Sequence, residues 1–342
     1  MKKKFTVVQV GLGPMGKLIV KLLLTRNNIQ LKGVVDIDPQ FNGKKLSDFF
    51  DIGNKEDLII ESNSKKILSK EKVDVVIIAT SSSLEKNSPI IVEAVKSRIN
   101  VISICEELSY PFQYYPKLSE ELNQLAKSLN VSIIGTGINP GYLMDLLPIV
   151  ITAPCQFVES IKVIRMMNSA KRRVSFQRKI GTGLTPEEFD NKIKDKEITG
   201  HVGLIQSIQM IAAALGIEYD EILEIPPKPI VSEKEIITSY GEKVPKGYVC
   251  GLQSKAIAKK LNKEIIVLDF LAFAGDHEEF DSVIIEGNPN IHQKIMGGVH
   301  GDIGTAAMVA NLIPKIIDAK PGLLTMKDIP VPCYTENIWK NK

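Results

Sequence analysis

The sequence predicts an α/β protein: a doubly wound parallel sheet followed by an α+β domain. In about the first 135 residues, apolar β-branched runs such as FTVVQVG and VDVVIIAT alternate with segments of helical periodicity. These runs are almost continuously apolar, as expected where helices cover both faces of a sheet. Beyond Pro148 the runs become longer and partly alternating, which indicates a second domain of another type. They are VESIKVIRMM, EIIVLDFLAF and DSVIIEG.

Helices are expected between the apolar runs. In the first domain they fall near residues 15–25, 89–96 and 116–128. In the second domain, the helical pattern near 203–215 ends at Gly216. Proline and glycine interrupt Ile225–Pro229 and SYGEKVPKG, so both are predicted to be loops.

A final helix is expected over roughly Thr305–Ile317, before Pro321. The predicted domains are a dinucleotide-binding domain at 1–147, an α+β substrate-binding and dimerisation domain at 148–300, and a carboxyl-terminal helix and tail at 301–342.

Composition and charge favour a protein that acts on small molecules. The 342 residues carry 43 basic and 40 acidic side chains, and the net charge of +3 gives no reason to expect a nucleic-acid or membrane partner. No apolar run reaches the roughly 18 residues of a membrane span. The opening MKKK is not followed by the uninterrupted apolar region that a signal peptide has. We therefore expect a cytoplasmic protein. The four cysteines and four histidines show no metal-ligand spacing, so no metal site is predicted.

The first strand leads directly into Gly11-Leu12-Gly13-Pro14-Met15-Gly16 and then into a helical segment. This is the G-x-G-x-x-G fingerprint in the context that it requires. In this motif Gly11 permits a tight turn, Gly13 admits a pyrophosphate and Gly16 allows helix and strand to pack closely. Pro14 and Met15 open the helix whose amino end faces the phosphates. The sequence therefore predicts a Rossmann-type dinucleotide site.

Asp36 ends the second strand, twenty positions after Gly16, where a carboxylate can accept hydrogen bonds from the adenosine ribose. Its charge would repel a 2′-phosphate, so NAD is favoured, while Lys44 and Lys45 leave NADP possible. A second group of candidate cofactor contacts follows the strand VDVVIIA. These residues, Thr80, Ser81 and Ser82, either line the cofactor's path or serve the turn alone.

Strand INVISIC ends in Cys105-Glu106-Glu107, at the edge of the sheet where ligands bind. A carboxylate there suits an amine substrate, because it can hold the cationic amine and then relay a proton. The alternative is a solvated pair that caps the next segment. Cys105 is interpreted as a buried, inert thiol rather than a nucleophile.

Several longer motifs occur along the chain. They are GLGPMG, CEELSYP (105–111), GTGINPGYLMD (135–145), FQRKIGTG (176–183), ITGHVGL (198–204) and HGDIGTAAMVANLIP (300–314). The glycine motif is common to many enzymes, whereas CEELSYP, GINPGY and GHVGL are much more specific. With these motifs the chain resembles, over almost its whole length, the 2,4-diaminopentanoate dehydrogenases and related native amine dehydrogenases, whose amino-terminal domain resembles that of dihydrodipicolinate reductase.

The resemblance implies reversible oxidative deamination. An amine-bearing carbon gives a hydride to NAD(P)⁺ and the imine is hydrolysed, while the reverse reaction aminates a ketone with ammonia. The family's acidic residue that interacts with the amine maps onto Glu106 or Glu107, and the sequence leaves this choice open. Asn139 and Pro140 are implied to contact the nicotinamide, with a purely structural turn as the alternative.

The resemblance also implies that the helix after His300 returns to the cofactor domain. The alternative is a purely structural role for this segment, as a helix start that Asp302 caps. His201 either contacts substrate or caps and packs against the following helix.

A diamino acid substrate carries a carboxylate that needs a cation. The segment SAKRRVSFQRK alternates basic and apolar residues, as a strand with one solvated face would. The candidate cations of the second domain are Arg165, Lys171, Arg172, Arg173 and Arg178. We expect most of them to lie on the surface and one of Arg172, Arg173 or Arg178 to bind the carboxylate.

The long apolar strands of the second domain predict a homodimer formed through their sheet. Two alternatives to an amine dehydrogenase remain at this stage. They are a dihydrodipicolinate reductase-like or imine reductase, and a non-catalytic NAD-binding protein.

Overall fold

The computed structural model describes residues 3–69 and 72–340, which divide into two compact units. One unit holds the described chain up to Tyr142 and again from His300 onward, and the other is Leu143–Val299. The sequence prediction placed these two divisions before residues 148 and 301.

The first unit is built on a parallel sheet covered by helices. Its first six strands are β1 (Phe5–Val10), β2 (Ile29–Val35), β3 (Ile60–Glu61), β4 (Val75–Ile78), β5 (Asn100–Ser103) and β6 (Ser132–Gly135). The helices among them are α1 (Pro14–Thr25), α2 (Ser64–Leu68), α3 (Leu84–Lys96) and α4 (Pro116–Leu129). The order β6-β5-β4-β1-β2-β3 reverses direction at β1, so a crevice is expected at the carboxyl ends of β1 and β4.

Helix α3 begins at Leu84, so the prediction of a start near residue 89 is wrong. Ser83 is its N-cap and accepts a backbone N–H of the first turn. Pro89 lies inside the helix and has no N–H to donate to the carbonyl oxygen of Glu85. The Ser88 hydroxyl donates to that oxygen instead, at 2.9 Å. The helix therefore tolerates a proline that the sequence analysis took as its beginning.

The second unit is an α+β domain. Its helices are α5 (Leu146–Ile151), α6 (Val174–Lys179), α7 (Pro186–Lys194) and α8 (Leu204–Leu215). Its strands are β7 (Phe157–Asn168), β8 (Glu221–Val231), β9 (Ile236–Ile237), β10 (Lys243–Val244), β11 (Val249–Lys260), β12 (Lys263–Phe273), β13 (Phe280–Asn288) and β14 (Ile291–Met296). Six of them form a mixed sheet in the order β14-β13-β7-β12-β11-β8, and β9 pairs with β10. Helix α8 ends at Gly216 in the left-handed region, as predicted.

Two predictions of irregular structure in this unit are corrected. Strand β8 runs through Ile225–Pro229, which we had predicted to be a loop. It lies at the edge of the six-stranded sheet, beside β11, and an edge tolerates prolines because one side of the strand needs no N–H donors. The loop predicted over SYGEKVPKG contains the two-residue strand β10.

The basic segment SAKRRVSFQRK is not a strand. It forms a 3-10 turn at Ser169–Lys171 followed by α6. The Asn168 side chain accepts a backbone N–H of this turn at 3.0 Å, and the Gln177 amide donates to the Arg172 carbonyl oxygen at 2.7 Å. Side-chain bonds to the backbone thus select compact turns over the extended ladder that the alternation predicted.

The end of the chain returns to the first unit, as the predicted fold requires. Helix α9 (Gly301–Ile317) packs against α1, and β15 (Gly322–Leu324) adds a parallel strand beside β6. The helix starts four residues before the predicted Thr305. Its N-cap is His300, and Asp302 lies in the first turn rather than at the cap position. The Asn28 amide holds the tail by donating to the carbonyl oxygens of Thr335 and Ile338 at 2.7 and 2.8 Å.

Two absences concern the described residues alone. None of the helices in residues 3–69 and 72–340 has the length and apolar character needed to span a membrane. The same residues contain no group of three or more His, Cys, Asp or Glu side chains that could hold a metal ion.

Candidate active site

The glycine motif forms the turn between β1 and α1. Gly11 has φ +93°, and a Cβ there would lie 2.5 Å from the carbonyl oxygen of Ala79 on the neighbouring strand end. A Cβ at Gly16 would lie 1.9 Å from the carbonyl oxygen of Gly11. Both positions therefore exclude any side chain because the protein's own backbone fills the space.

Gly13 differs from these two glycines. No protein atom lies within 4 Å of a Cβ built at this position, although Gly13 is the N-cap of α1. Pro14 follows it and is also exposed, Met15 is partly buried, and no side chain caps the helix. The exposed amino end of α1 thus has open space and uncapped N–H groups, which is the environment that a pyrophosphate needs. A nicotinamide dinucleotide fits this turn.

Asp36 follows β2 and lies beside the glycine turn. Its Oδ2 accepts the N–H of Leu12 at 2.5 Å, and its Oδ1 accepts the N–H of Asp38 at 2.8 Å. A carboxylate oxygen can accept more than one hydrogen bond, so both oxygens remain able to take ribose hydroxyls. Ile37, between the two acids, is 84% exposed and offers an apolar surface at the same edge of the sheet.

The segment Thr80–Ser82 follows β4 and is ordered mainly by the buried Asn87. The Thr80 hydroxyl donates to the Asn87 side chain, and the Asn87 amide donates to the Ser81 carbonyl oxygen at 2.7 Å. The Ser81 hydroxyl accepts the N–H of Ser83 at 3.1 Å. These bonds order the turn, and the Thr80 and Ser82 side chains are both exposed, while Ser81 is partly buried. A contact of these three residues with the cofactor stays a prediction.

Glu107 lies in the 3-10 turn Glu106–Leu108 that follows β5, and its carboxylate is engaged within the protein. Its Oε2 accepts the N–H of Leu84 at 2.7 Å and the hydroxyl of Tyr115 at 2.7 Å. Sequence reasoning missed Tyr115, because nothing in CEELSYPFQYYP distinguishes one of its tyrosines as the partner of an acid.

Glu106 has the opposite arrangement. Its carbonyl oxygen accepts both the N–H and the hydroxyl of Ser109, at 3.1 and 2.7 Å, which closes the turn locally. Its side chain is partly buried, and its carboxylate has no hydrogen-bond or ion-pair partner among the described residues. The structure thus distinguishes two acids that the sequence left equivalent.

Cys105 precedes the pair and is 1% exposed. Burial raises the pKa of its thiol to about 11, and the thiol contacts the Ser82 carbonyl oxygen at 3.0 Å. A thiol with this pKa is not ionised near neutral pH, as expected for the inert cysteine that the sequence predicted.

The loop after β6 carries the two other predicted cofactor contacts, Asn139 and Pro140, which are joined by a cis peptide bond. Gly141 follows with φ +126°, so the expected sharp turn is present. The loop is tied to α9, because the N–H of Ile138 donates to the Thr305 hydroxyl at 3.1 Å.

In the second unit, His201 precedes α8 but does not cap it. The N-cap is Gly203, and no side-chain bond satisfies the helix start. The His201 ring stacks on Phe270 with ring centroids 4.4 Å apart, and its backbone N–H donates to the Ser254 hydroxyl at 3.1 Å. His201 therefore does not cap the helix, its ring packs on Phe270 of β12, and its contact with substrate stays a prediction. Burial, with the nearby charge of Arg165, lowers the pKa of His201 to about 3.

The three candidate arginines differ in exposure. The Arg178 side chain is 75% exposed and lies 3.5 Å from Glu242. The Arg172 side chain is only 10% exposed, lies 3.6 Å from Glu279, and has a buried Nε without a hydrogen-bond partner. Arg173 is the N-cap residue of α6.

Arg165 is an exception to the expectation that the basic residues of the second domain lie on the surface. It is buried in β7 and paired with Asp281 of β13 at 3.2 Å. Sequence reasoning counted Arg165 among the basic residues but could not identify this pair, because the register of β7 against β13 brings the two residues together.

Residues 142–341 match the family model of the 2,4-diaminopentanoate dehydrogenase carboxyl-terminal domain. The chain is also 35% identical over 336 residues to the 2,4-diaminopentanoate dehydrogenase of Acetoanaerobium sticklandii, covering 96% of this chain and 94% of that protein.

Solved structures share the fold. An amine dehydrogenase from Mycobacterium smegmatis has a TM-score of 0.81 at 21% identity, over 97% of this chain and 98% of that one. A dihydrodipicolinate reductase from a Paenisporosarcina species has a TM-score of 0.54 at 12% identity, over 96% and 100% of the two chains. With the sequence relationships above, the chain belongs to the 2,4-diaminopentanoate dehydrogenase family and is an NAD(P)-dependent amine dehydrogenase.

Proposed function

We propose that this enzyme catalyses the reversible oxidative deamination of 2,4-diaminopentanoate or a closely similar small amine, with NAD as cofactor and Glu106 as the acid–base residue. The observation that carries the assignment is the Glu106 carboxylate, which is without a partner among the described residues and lies in a turn closed by two bonds from Ser109. It follows β5 at the carboxyl edge of the sheet, the same edge as the glycine turn.

The reaction needs such a group. An alkyl ammonium has a pKa near that of lysine, about 10.4, so it is protonated at neutral pH. Its nitrogen must lose a proton before the lone pair can form the C=N bond as the hydride leaves. Glu106 would attract the cation, accept this proton directly or through water, and then assist the attack of water on the imine. The bound nicotinamide supplies the hydride acceptor.

The ribose end of the site favours NAD. Asp36 and Asp38 place two carboxylates at the end of β2, and either would repel a 2′-phosphate. The candidate cations Lys44 and Lys45 are both exposed. The Lys44 ammonium lies 5.9 Å from the centre of the Phe49 ring rather than beside Asp36.

Arg172 is less exposed than Arg178 and suits a substrate carboxylate better than Arg178 does. Its guanidinium is nearly buried, and its Nε–H has no acceptor, so a ligand oxygen would satisfy a donor that is costly to leave unpaired. We also propose that His201 contacts the substrate. Its lowered pKa keeps the ring uncharged near neutral pH, so the ring adds no positive charge to the site.

The assembly that we propose is a homodimer in the cytoplasm, formed through the sheet of the second unit. One cross-strand row carries Met166, Leu271, Phe280 and Met296. Met296 is 69% exposed and the other three are partly exposed, whereas Phe270, on the opposite face, is 4% exposed. An exposed apolar row of this kind is typical of an interaction surface, and a second copy of the same sheet would bury it.

The decisive experiment is an NAD reduction assay of the purified enzyme with 2,4-diaminopentanoate, simple primary amines, 2-amino acids and alcohols. Reduction that depends on an amine, with ammonia and a ketone as products, is expected. Turnover with alcohols alone, or NAD binding without turnover with any amine, would contradict the proposal. Light scattering at micromolar concentration tests the assembly, and a monomeric mass would reject the dimer.

A further inference from the structure

We propose that Glu107 and Tyr115 form a clamp that positions Glu106. Both would act through the backbone of the turn and would not touch the reacting atoms. This inference rests on the proposed role of Glu106 and assigns a separate role to its neighbour.

The clamp centres on a single oxygen atom. Glu107 Oε2 accepts the N–H of Leu84, the first residue of α3, and the hydroxyl of Tyr115, the N-cap residue of α4. One carboxylate therefore fastens the turn Glu106–Leu108 to the amino ends of two long helices. The dipole of each helix favours a negative charge at its amino end, so the carboxylate is well placed electrostatically.

Tyr115 remains a hydrogen-bond donor over the working range of pH. Burial, the hydrogen bond to Glu107 and the charge of Glu107 raise the pKa of the phenol to about 12. The phenol therefore keeps its proton in alkaline assays, and the bond to Glu107 persists while the substrate amine titrates.

The other side of the turn packs directly against β6. A Cβ at Gly135, the last residue of β6, would lie 2.6 Å from the carbonyl carbon of Leu108, so strand and turn are in direct backbone contact. The Leu108 side chain is completely buried. The N–H of Glu107 reaches the Ser82 carbonyl oxygen only at 3.4 Å, which is a long bond. Side-chain bonds of Glu107 are therefore the strong restraint at the middle of the turn.

Restraint of this kind matters for proton transfer, since a displacement of about 1 Å at a catalytic group can cost about 10²-fold in rate. Glu106 precedes Glu107 in the same turn, so a shift of one backbone displaces the other. Without the clamp, the Glu106 carboxylate would sample a wider range of positions around the substrate nitrogen.

The geometry yields a signature that separates positioning from proton transfer. Both donors of the clamp use one oxygen, and the amide oxygen of glutamine can accept the same two bonds. Glu107→Gln should therefore restore most of the activity that Glu107→Ala loses. For an acid–base residue the glutamine variant would be as inactive as the alanine variant, because the amide does not exchange the proton.

The test compares Glu107→Ala, Glu107→Gln and Tyr115→Phe with the wild type, and uses Tyr240→Phe as the matched control. Tyr240 is 57% exposed in the second unit, so this control removes a phenol far from the clamp in sequence. We expect kcat of Glu107→Ala to fall by about 10- to 100-fold with NAD affinity within about twofold of the wild type. Tyr115→Phe should lower kcat by a smaller factor, and Glu107→Gln should stay within about fivefold of the wild type.

Each readout is taken per folded enzyme, with the folded fraction measured by circular dichroism. If Glu107→Ala and Tyr115→Phe lose only stability and keep the wild-type kcat, the clamp is structural and the inference is wrong. If Glu107→Gln is as inactive as Glu106→Gln, Glu107 takes part in proton transfer and the inference is also wrong. Failure of the proposed function is recognised separately, because the wild type would then show no amine-dependent turnover or Glu106→Gln would be fully active. Should Glu107→Ala not fold, Tyr115→Phe and Glu107→Gln decide the question by themselves.

Discussion

Arg165 and Asp281 face each other on β7 and β13, and their side chains form an ion pair 3.2 Å long that is almost completely buried. The pair is also tied to the end of the unit. The Arg165 guanidinium donates to the Val299 carbonyl oxygen at 2.8 Å, and the Asp281 carboxylate accepts the Val299 N–H at 2.7 Å. Burial raises the pKa of Asp281 and lowers that of Arg165, so each charge depends on the other for compensation.

Removing one partner of this pair should therefore destabilise the protein strongly. We expect Arg165→Met or Asp281→Leu to lower the free energy of unfolding by about 3–5 kcal/mol, because each variant leaves an uncompensated buried charge. Urea denaturation measures the effect. The double variant should recover a large part of the loss, and equal stability of the wild type and both single variants would disprove the interpretation.

Gly13 and Gly16 give a matched pair of substitutions at the glycine turn. Gly13→Val should raise the Kd for NAD by about tenfold or more and leave the fold intact, since the new side chain enters space that no protein atom occupies. Gly16→Ala should instead lower the melting temperature, because its Cβ would overlap the carbonyl oxygen of Gly11 at 1.9 Å. Calorimetric titration and thermal denaturation separate the two effects. Unchanged NAD affinity in Gly13→Val would contradict the assigned site.

The choice of cofactor should depend on Asp36. Asp36→Ser removes the charge that opposes a 2′-phosphate, so the ratio of kcat/KM for NADP to that for NAD should rise by about tenfold or more. Asp36→Glu is the control, because it retains the charge. A wild-type enzyme that already prefers NADP would show that Asp36 has been misinterpreted.

Glu106 should be the more sensitive member of the acidic pair. Glu106→Gln should lower kcat for amine oxidation by at least about 10²-fold with little change in NAD affinity, because general acid–base catalysis contributes about 10²- to 10⁴-fold. Its pH–rate profile should also lose the limb that the carboxylate contributes. Near-normal kcat in Glu106→Gln, in Glu107→Gln and in the double variant would place the acid–base group elsewhere.

His201 should make the protein less stable in acid. Its pKa is lowered from 6.5 to about 3, so the unfolded chain binds a proton that the folded chain refuses between these values. The stability that neutral His201 contributes is therefore complete above about pH 6.5 and is lost as the pH falls towards about 3, by at most about 1.4 kcal/mol for each pH unit. Denaturation at pH 7, 6 and 5 should show this loss in the wild type and a smaller one in His201→Gln. Parallel curves would rule out the contribution.

The sequence by itself determined the features that depend on local order along the chain. The spacing of Gly11, Gly13 and Gly16 after an apolar strand predicts a turn whose geometry is set by a few adjacent residues, and the structure has this turn. The continuous apolar runs predicted the parallel strands, because a strand that is buried on both faces has apolar residues at nearly every position. The position of Gly216 also sufficed to predict the end of α8.

Only the tertiary structure decided the features that depend on residues far apart in the chain. The carboxylates of Glu106 and Glu107 differ because Leu84 and Tyr115 reach one of them, and their approach depends on how α3 and α4 are placed around the sheet. The prolines of β8 are tolerated because β8 became the edge of its sheet, a fact set by strand order rather than by local preference. Periodicity predicts which residues share a face, but the choice of partner depends on free energies of packing and hydrogen bonding that form only when distant segments meet.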